Sequence, residues 1–335
     1  MRRRILYVTV AFLLFAFLVS YQESLASSYF EGKVIKIIVG HEVGGGYDRL
    51  ARLLARHLSK HIPGKPTFLV ENMPGAQTMI AANYLFNIAK PNGLTIGTLD
   101  RGIPFAQLLK MEGVKFDIAK FSWVGSASSE TMILALRTDL PYKTVDDLRK
   151  AKEPIPLAGV GAGASDTQYP TLLKEFAGLN LKIITYPSSA ASMLAIERKE
   201  ADGRAGSYTS IKPYIERGLL RPFVRSRVVD PEIENLPVNE DLTTSALGKT
   251  LMAMMASADR IGRPYVAPPG TPPEAINPLR EAFAKVAKDP EAMQEAKKIM
   301  MAVDYTSADE AVKTMNYLLG QPEDVVREFG KYIKF

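Results

Sequence analysis

The residues best suited to chemistry in this chain fall into three small groups. The first is Gly40-His41-Glu42-Val43-Gly44-Gly45-Gly46-Tyr47-Asp48, where three glycines separate an apolar run from a helical one. The second is Gly159-Val160-Gly161-Ala162-Gly163-Ala164-Ser165-Asp166, which also joins a strand-like run to a helical one. The third is a pair of arginines, Arg101 in Leu99-Asp100-Arg101-Gly102 and Arg204 in Asp202-Gly203-Arg204-Ala205-Gly206. Ordering three successive glycines costs backbone entropy, so the first loop has a reason to stay bare. At a helix N-terminus, backbone N–H groups concentrate about half a positive charge and suit an anion. Two such mouths suggest one small anion held by the amides of both loops, with Ser165 adding a hydroxyl donor. A guanidinium pairs well with a carboxylate, which makes Arg101 and Arg204 candidate ligand partners. An internal ion pair with Asp100 or Asp202 is the equal alternative. Asp48 suits a helix cap or a water anchor better than direct contact with an anion, and Tyr47 either walls the site or packs in the core.

Sharper chemistries lack their residues. Neither loop carries the lysine of a Walker phosphate loop, and the second offers G-x-G-x-G instead of the dinucleotide fingerprint. His41-Glu42 begins an H-E-x-x-H zinc motif, but Gly45 stands where the second histidine belongs. His57 and His61 have i, i+4 spacing without an evident third ligand, and Arg56 and Lys60 beside them read as a solvated helix face. No serine sits in a G-x-S-x-G elbow, and the 3 histidines all fall within residues 41–61. The expectation is therefore a binding protein, not an enzyme, with no metal and no cofactor. Two alternatives stay open: a metal-dependent hydrolase built on His41, Glu42 and Asp48, and a ligand sensor serving a membrane kinase.

The elements that must position these groups follow an α/β pattern. Lys33–Val39 reads as a buried strand, and Leu50, Leu53, Leu54, Leu58 and Ile62 share one helix face behind the first loop. Strands at Thr67–Val70 and Leu94–Leu99 and a helix at Thr78–Ala89 complete a parallel α/β unit. A second series begins near Met132–Leu136 and continues through strands at Pro156–Val160, Lys182–Tyr186 and Ala201–Ser207, with helices at Ser165–Phe176, Ala190–Arg198 and Ile211–Arg217. Beyond a short strand at Tyr265–Ala267, helices start at Thr271-Pro272-Pro273-Glu274, Asp289-Pro290, Ser307 and Gln321-Pro322. In open α/β sheets ligands sit at the carboxyl ends of the strands, where both glycine loops lie.

The bulk numbers agree with an exported globular protein. The chain has 335 residues, 47% hydrophobic and 23% charged, and no cysteine. Met1-Arg2-Arg3-Arg4, the apolar Ile5–Val19 stretch and Ser24-Leu25-Ala26 have the form of a secretory signal peptide over residues 1–26. Its removal takes the net charge from +6 to +4, because three arginines and one glutamate are lost. That mild excess favours anionic ligands but not nucleic acid, for which no arginine-aromatic stripe is present.

Taken in order, GGGYDRLARLLARHL, VENMPGA, PNGLTIGT, LPYKTVDDL, GVGAGAS, ERKEADGRAGSY and APPGTPPEAINPLREAFAKVAKDPE resemble the substrate-binding proteins of tripartite tricarboxylate transporters. These are the Bug/TctC-like periplasmic solute receptors, and the likeness covers nearly the whole mature chain. The resemblance implies a two-lobed α/β periplasmic binding protein, type II-like and of Venus-flytrap form, with C-terminal helices. It implies a monomer that binds a small carboxylate and delivers it to the membrane permease subunits. Expected bounds are 27–130 with 250–335 for the first lobe and 131–249 for the second, with hinge segments near 126–137 and 221–268. Carried over residue by residue, the resemblance places Gly44, Gly45, Gly46 and Asp48 in the first ligand loop. Gly161, Gly163, Ala164 and Ser165 fall in the second, and Asn72 and Gly75 in the VENMPGA turn. The chain departs from the family at Val43, where proline is usual, at Gln77, where glycine is usual, and around Asp166-Thr167-Gln168.

Overall fold

The run Val34–Val39 forms β1, with Ile35, Ile37, Ile38 and Val39 all buried, as a strand covered on both faces requires. In the computed structural model, which describes residues 29–161, 164–228, 230–299 and 301–333, β1 pairs in parallel with β2 (Thr67–Asn72) and β3 (Thr95–Thr98). The expected signal peptide lies outside the described residues. A fourth strand, β4 (Ser122–Ser126), has no counterpart in the sequence reading. Strands β5 (Met132–Arg137), β6 (Ile155–Gly159), β7 (Leu181–Thr185), β8 (Gly203–Ser207) and β9 (Leu220–Arg225) form a second sheet. β10 (Pro264–Ala267) and the two-residue β11 (Thr306–Ser307) return to the first.

The sheets are mixed, not wholly parallel. The first runs β11-β4-β10-β3-β1-β2, with β10 antiparallel to both of its neighbours. The second runs β7-β6-β8-β5-β9, with β5 antiparallel to β8 and β9. Apart from β11, the two orders are one topology used twice: β6 matches β1, β7 matches β2, β8 matches β3, β5 matches β10 and β9 matches β4. Both glycine loops leave the carboxyl end of the corresponding strand.

The chain divides into two compact units. Among the described residues, one comprises 29–100 with Lys115–Ala127 and Pro264–Asp309; the other comprises Arg101–Val114, Ser128–Arg263 and 310–333. In the first, the helix Gly46–Leu58 lays Leu50, Leu53, Leu54 and Leu58 onto β1 and β2, and against the helices Pro273–Val286 and Pro290–Lys298. Among the described residues, 101–114, 128–130, 250–263 and 310–333, which the sequence reading places in the first lobe, group with the second unit. The reason is apolar surface. The helix Ala246–Ile261 buries Leu251, Met252, Met254 and Met255 and lies along the helix Ser165–Ala177. The helix Glu323–Tyr332 places Phe329 edge-on to Phe105, at 5.0 Å between ring centres, and Tyr332 edge-on to Phe176 at 5.4 Å. Among the described residues no helix is long and apolar enough to cross a membrane.

Candidate functional site

The first loop is held from within by a buried carboxylate. Asp48, 1% exposed, sits in the first turn of its helix and accepts the Gly44 amide at 2.8 Å. Arg52, one turn on, donates Nε to both Asp48 oxygens at 3.0 and 3.1 Å. Asn72, the last residue of β2, donates Nδ2 to Asp48 and to the His41 carbonyl, both at 3.0 Å, and accepts from Arg52 at 3.0 Å. Burial pushes the Asp48 carboxyl up, but Arg52, the Gly44 amide and Asn72 outweigh it and hold the carboxyl below the usual range. Asp48 and Asn72 thus shape the loop, and the helix start at Gly45 carries no side-chain cap. Gly44 has φ +85°, and a Cβ on Gly45 would meet only the Glu42 carbonyl, at 3.5 Å. Bulk does not force Gly45 to be bare.

The His41 ring stacks on Tyr47 at 4.0 Å with 16° between planes, and its Nε2 lies 3.6 Å from Asp100. Glu42 and Val43 are exposed. Gly75, at φ +127°, opens an unusual turn in which Ala76, Gln77 and Thr78 also take positive φ. The turn ends with the Thr78 hydroxyl accepting the Asp100 amide at 3.0 Å.

The second loop repeats the device. Asp166, 5% exposed, accepts the Val160 amide at 3.2 Å and pairs with Arg204 at 3.0 Å. Arg204 also donates to the Ala205 and Ser189 carbonyls. Asp202 does not engage its guanidinium; the partner is Asp166, 38 residues earlier. Burial pushes Asp166 up and Arg204 down, and their mutual attraction opposes both shifts. The Ala164 cap supplies no side-chain acceptor, and Gly161 has φ +149°. Gly163 lies outside the described residues.

Arg101 does reach the second loop. Its Nη2 lies 3.4 Å from Ser165 Oγ and 3.4 Å from Met132 Sδ, and its Nη1 lies 3.4 Å from Asp259 Oδ1. The structure therefore brings Gly44, Gly45, Gly46, Tyr47, Asp48 and Asn72 together in one unit. It brings Arg101, Ala164 and Ser165 together in the other, where Arg204 pairs with Asp166. Arg52 and Asp259 were missed by the sequence reading. Arg52 stands at i, i+4 from Asp48, a readable signal; Asp259 carries none.

The histidine pair is not a solvated face. His57 Nε2 lies 2.7 Å from Glu295 and His61 Nε2 lies 2.8 Å from Asp289. Among the described residues, His57, Asp289 and Glu291 form a group with ligand atoms within 4.8 Å of one another. Lys60 Nζ already lies 2.6 Å from both carboxylates.

Two mouths of one design, each at the end of a matching strand, agree with what the chain is similar to. The profile described as "Tripartite tricarboxylate transporter family receptor" matches residues 50–330. The chain belongs to that receptor family. Its members are receptors of tripartite tricarboxylate transporters. Among relatives, the "UPF0065 protein in gbd 5'region" of Cupriavidus necator is 24% identical over 306 residues, covering 90% of this chain and 89% of the relative. A ligand-free TctC solute binding protein from Polaromonas has a TM-score of 0.71 at 20% identity, covering 89% of this receptor and 99% of that chain. MatC from Rhodopseudomonas palustris, solved with bound malate, has a TM-score of 0.64 at 18% identity, covering 89% and 100%.

Proposed function

We propose that this receptor is exported through a cleaved signal peptide at residues 1–26 and acts as a monomer. It captures a small carboxylate with both strand-to-helix loops and hands it to the permease subunits of a tripartite tricarboxylate transporter. One observation carries the reading: two 13-residue helices, Gly46–Leu58 and Ser165–Ala177, start without a side-chain cap behind glycine loops that an Asp–Arg pair holds in shape. Each Asp neutralises its own arginine, so the positive end of each helix remains for a ligand. Amides of Gly45, Gly46 and Tyr47 on one side, and of Ser165 on the other, are the donors assigned to the carboxylate; the Ala164 amide is spent on the Gly161 carbonyl at 3.1 Å. Ser165 Oγ and Arg101 supply side-chain contacts, and the malate bound by MatC supports a carboxylate as the chemical class.

The test is a thermal-shift screen against mono-, di- and tricarboxylates, followed by calorimetry. A ligand at about 100 times its Kd stabilises by about 2.7 kcal/mol, a visible shift. A screen in which no carboxylate raises Tm would sink the reading. Recovery of the permease subunits with tagged receptor from membranes tests the delivery step.

A further inference from the structure

Asp259 is an expensive residue that the loop architecture does not require. It is 1% exposed and lies in the last turn of the helix Ala246–Ile261, where the macrodipole disfavours an anion. The Ser226 hydroxyl and the Met132 amide approach its carboxylate and favour its charge, but neither reaches full hydrogen-bond geometry. Its charged neighbour is Arg101, at 3.4 Å, and Arg101 in turn lies 3.4 Å from the Ser165 hydroxyl at the second ligand loop. A buried carboxylate held this way costs stability unless its charge is used.

We propose that Asp259 is a specificity-determining counter-charge of the ligand site. It cancels the charge of Arg101, so that the site discriminates ligands by how much negative charge they carry, and protonation of Asp259 releases Arg101 to a ligand carboxylate. This deepens the carboxylate reading and rests on it.

The surroundings favour such a switch. Burial pushes the Asp259 carboxyl up to about 6; Arg101 and the Ser226 hydroxyl oppose this, and Glu130 adds to it. Glu130 is itself 4% exposed, and its charge is met by Arg263 at 2.7 Å and the Thr209 hydroxyl at 3.0 Å. On the side of the helix Ser165–Ala177, Tyr169 is buried, and Asp259 and Glu240 oppose its ionisation. Arg227 pairs with Glu240. Glu130 and Glu240 thus have cationic partners of their own; Arg225, buried beside Ser226 and facing Tyr169, donates to the Ser226 and Glu234 carbonyls, and Arg101 is the cation within ion-pair distance of Asp259.

Calorimetric titration of malate, succinate, adipate and citrate into wild type and Asp259→Asn, at about pH 8 and about pH 5, tests the proposal. Comparing the two proteins at a single pH cancels the ligand's own ionisation. The variant is expected to bind di- or tricarboxylates about tenfold tighter at the higher pH and within about twofold at the lower, where wild-type Asp259 is largely protonated. In an Arg101→Met background the difference disappears. Equal affinities at both pH values, or weaker binding by the variant at both, overturn the counter-charge and leave the carboxylate reading standing. No binding of any of the four by wild type overturns the carboxylate reading itself, and this proposal with it. If Asp259→Asn does not fold, carboxyl NMR titration of Asp259 in wild type carries the test. A midpoint that rises by about one unit when a carboxylate saturates the protein supports the proposal, and an unmoved midpoint overturns it.

Discussion

Asp48 and Asp166 solve the same local problem with the same parts. Each reaches back from the first turn of a helix to a loop amide, and each is neutralised by an arginine, Arg52 or Arg204. The pairing with Arg204 joins positions 38 apart, and a single sequence carries no trace of it. The glycines of the first loop are the opposite case: they were legible, but their steric reason is weaker than their number suggests. Gly45→Ala should leave the unfolding midpoint within about 0.5 kcal/mol of wild type, since the added methyl meets only the Glu42 carbonyl at 3.5 Å. Carboxylate affinity measured on the same sample should fall at least about tenfold, because the methyl shields the amides offered to the ligand. Unchanged affinity would take Gly45 out of the site. Gln77, at φ +48° where the family commonly has glycine, holds a left-handed conformation that costs a side-chain-bearing residue. Gln77→Gly should therefore raise stability by about 0.5–1 kcal/mol in chemical denaturation, offset only in part by unfolded-chain entropy. A destabilised Gln77→Gly would show that the side chain makes a contact worth more than the strain.

Among the elements, the helix carrying the first loop is fastened at its far end by charge. Arg56 and His57 meet Glu295, and Lys60 and His61 meet Asp289, all from the helix Pro290–Lys298 and its cap. Burial works against the Asp289 charge, but Lys60, His61 and the backbone amides at the start of that helix hold its carboxyl well below the usual range. Arg56 and His57 lower Glu295. A depressed folded-state pKa gives stability that is present above the unfolded carboxyl value, about 4, and is lost as pH falls through the folded value. Denaturation midpoints should accordingly drop steeply below about pH 4, and Asp289→Asn, which keeps a good cap but removes the charge facing Lys60 and His61, should flatten that slope and cost up to about 1 kcal/mol near neutrality. An acid slope unchanged by the substitution would remove Asp289 from the fastening. The elements that were legible are those with a clean period: β1, β2, β3, β6, β7, β8 and β10 are apolar or glycine-bounded runs. β4, Ser-Trp-Val-Gly-Ser, is too polar to stand out, and β9 contains Pro222, which its place at the sheet edge tolerates. The helix Ala246–Ile261 is rich in Ala and Met with buried positions nearly all round, so it offers no polar face to mark it. The fastening was invisible for a similar reason: its two halves stand some 230 residues apart.

At the scale of the whole molecule the strand order constrains how the chain is completed. All five strands of the second sheet come from one stretch, residues 132–225, whereas β10, at 264–267, lies between β3 and β4 in the first sheet. A chain ending at residue 127 therefore lacks a central strand. It should show no cooperative unfolding transition by circular dichroism, and a cooperative one would contradict the topology. Vectorial synthesis adds direction to this. The first hundred residues emerge earliest yet cannot close their sheet until the segment after residue 263 follows them, so on the ribosome the second sheet is the one able to form first. Nascent chains halted shortly after residue 263 should resist protease across 132–225 while β1–β4 are cut. The oldest part of the polypeptide is thus the last to become solid, and whatever handles the new chain meets β3 and β4 with the edges that β10 will join still open for most of its synthesis.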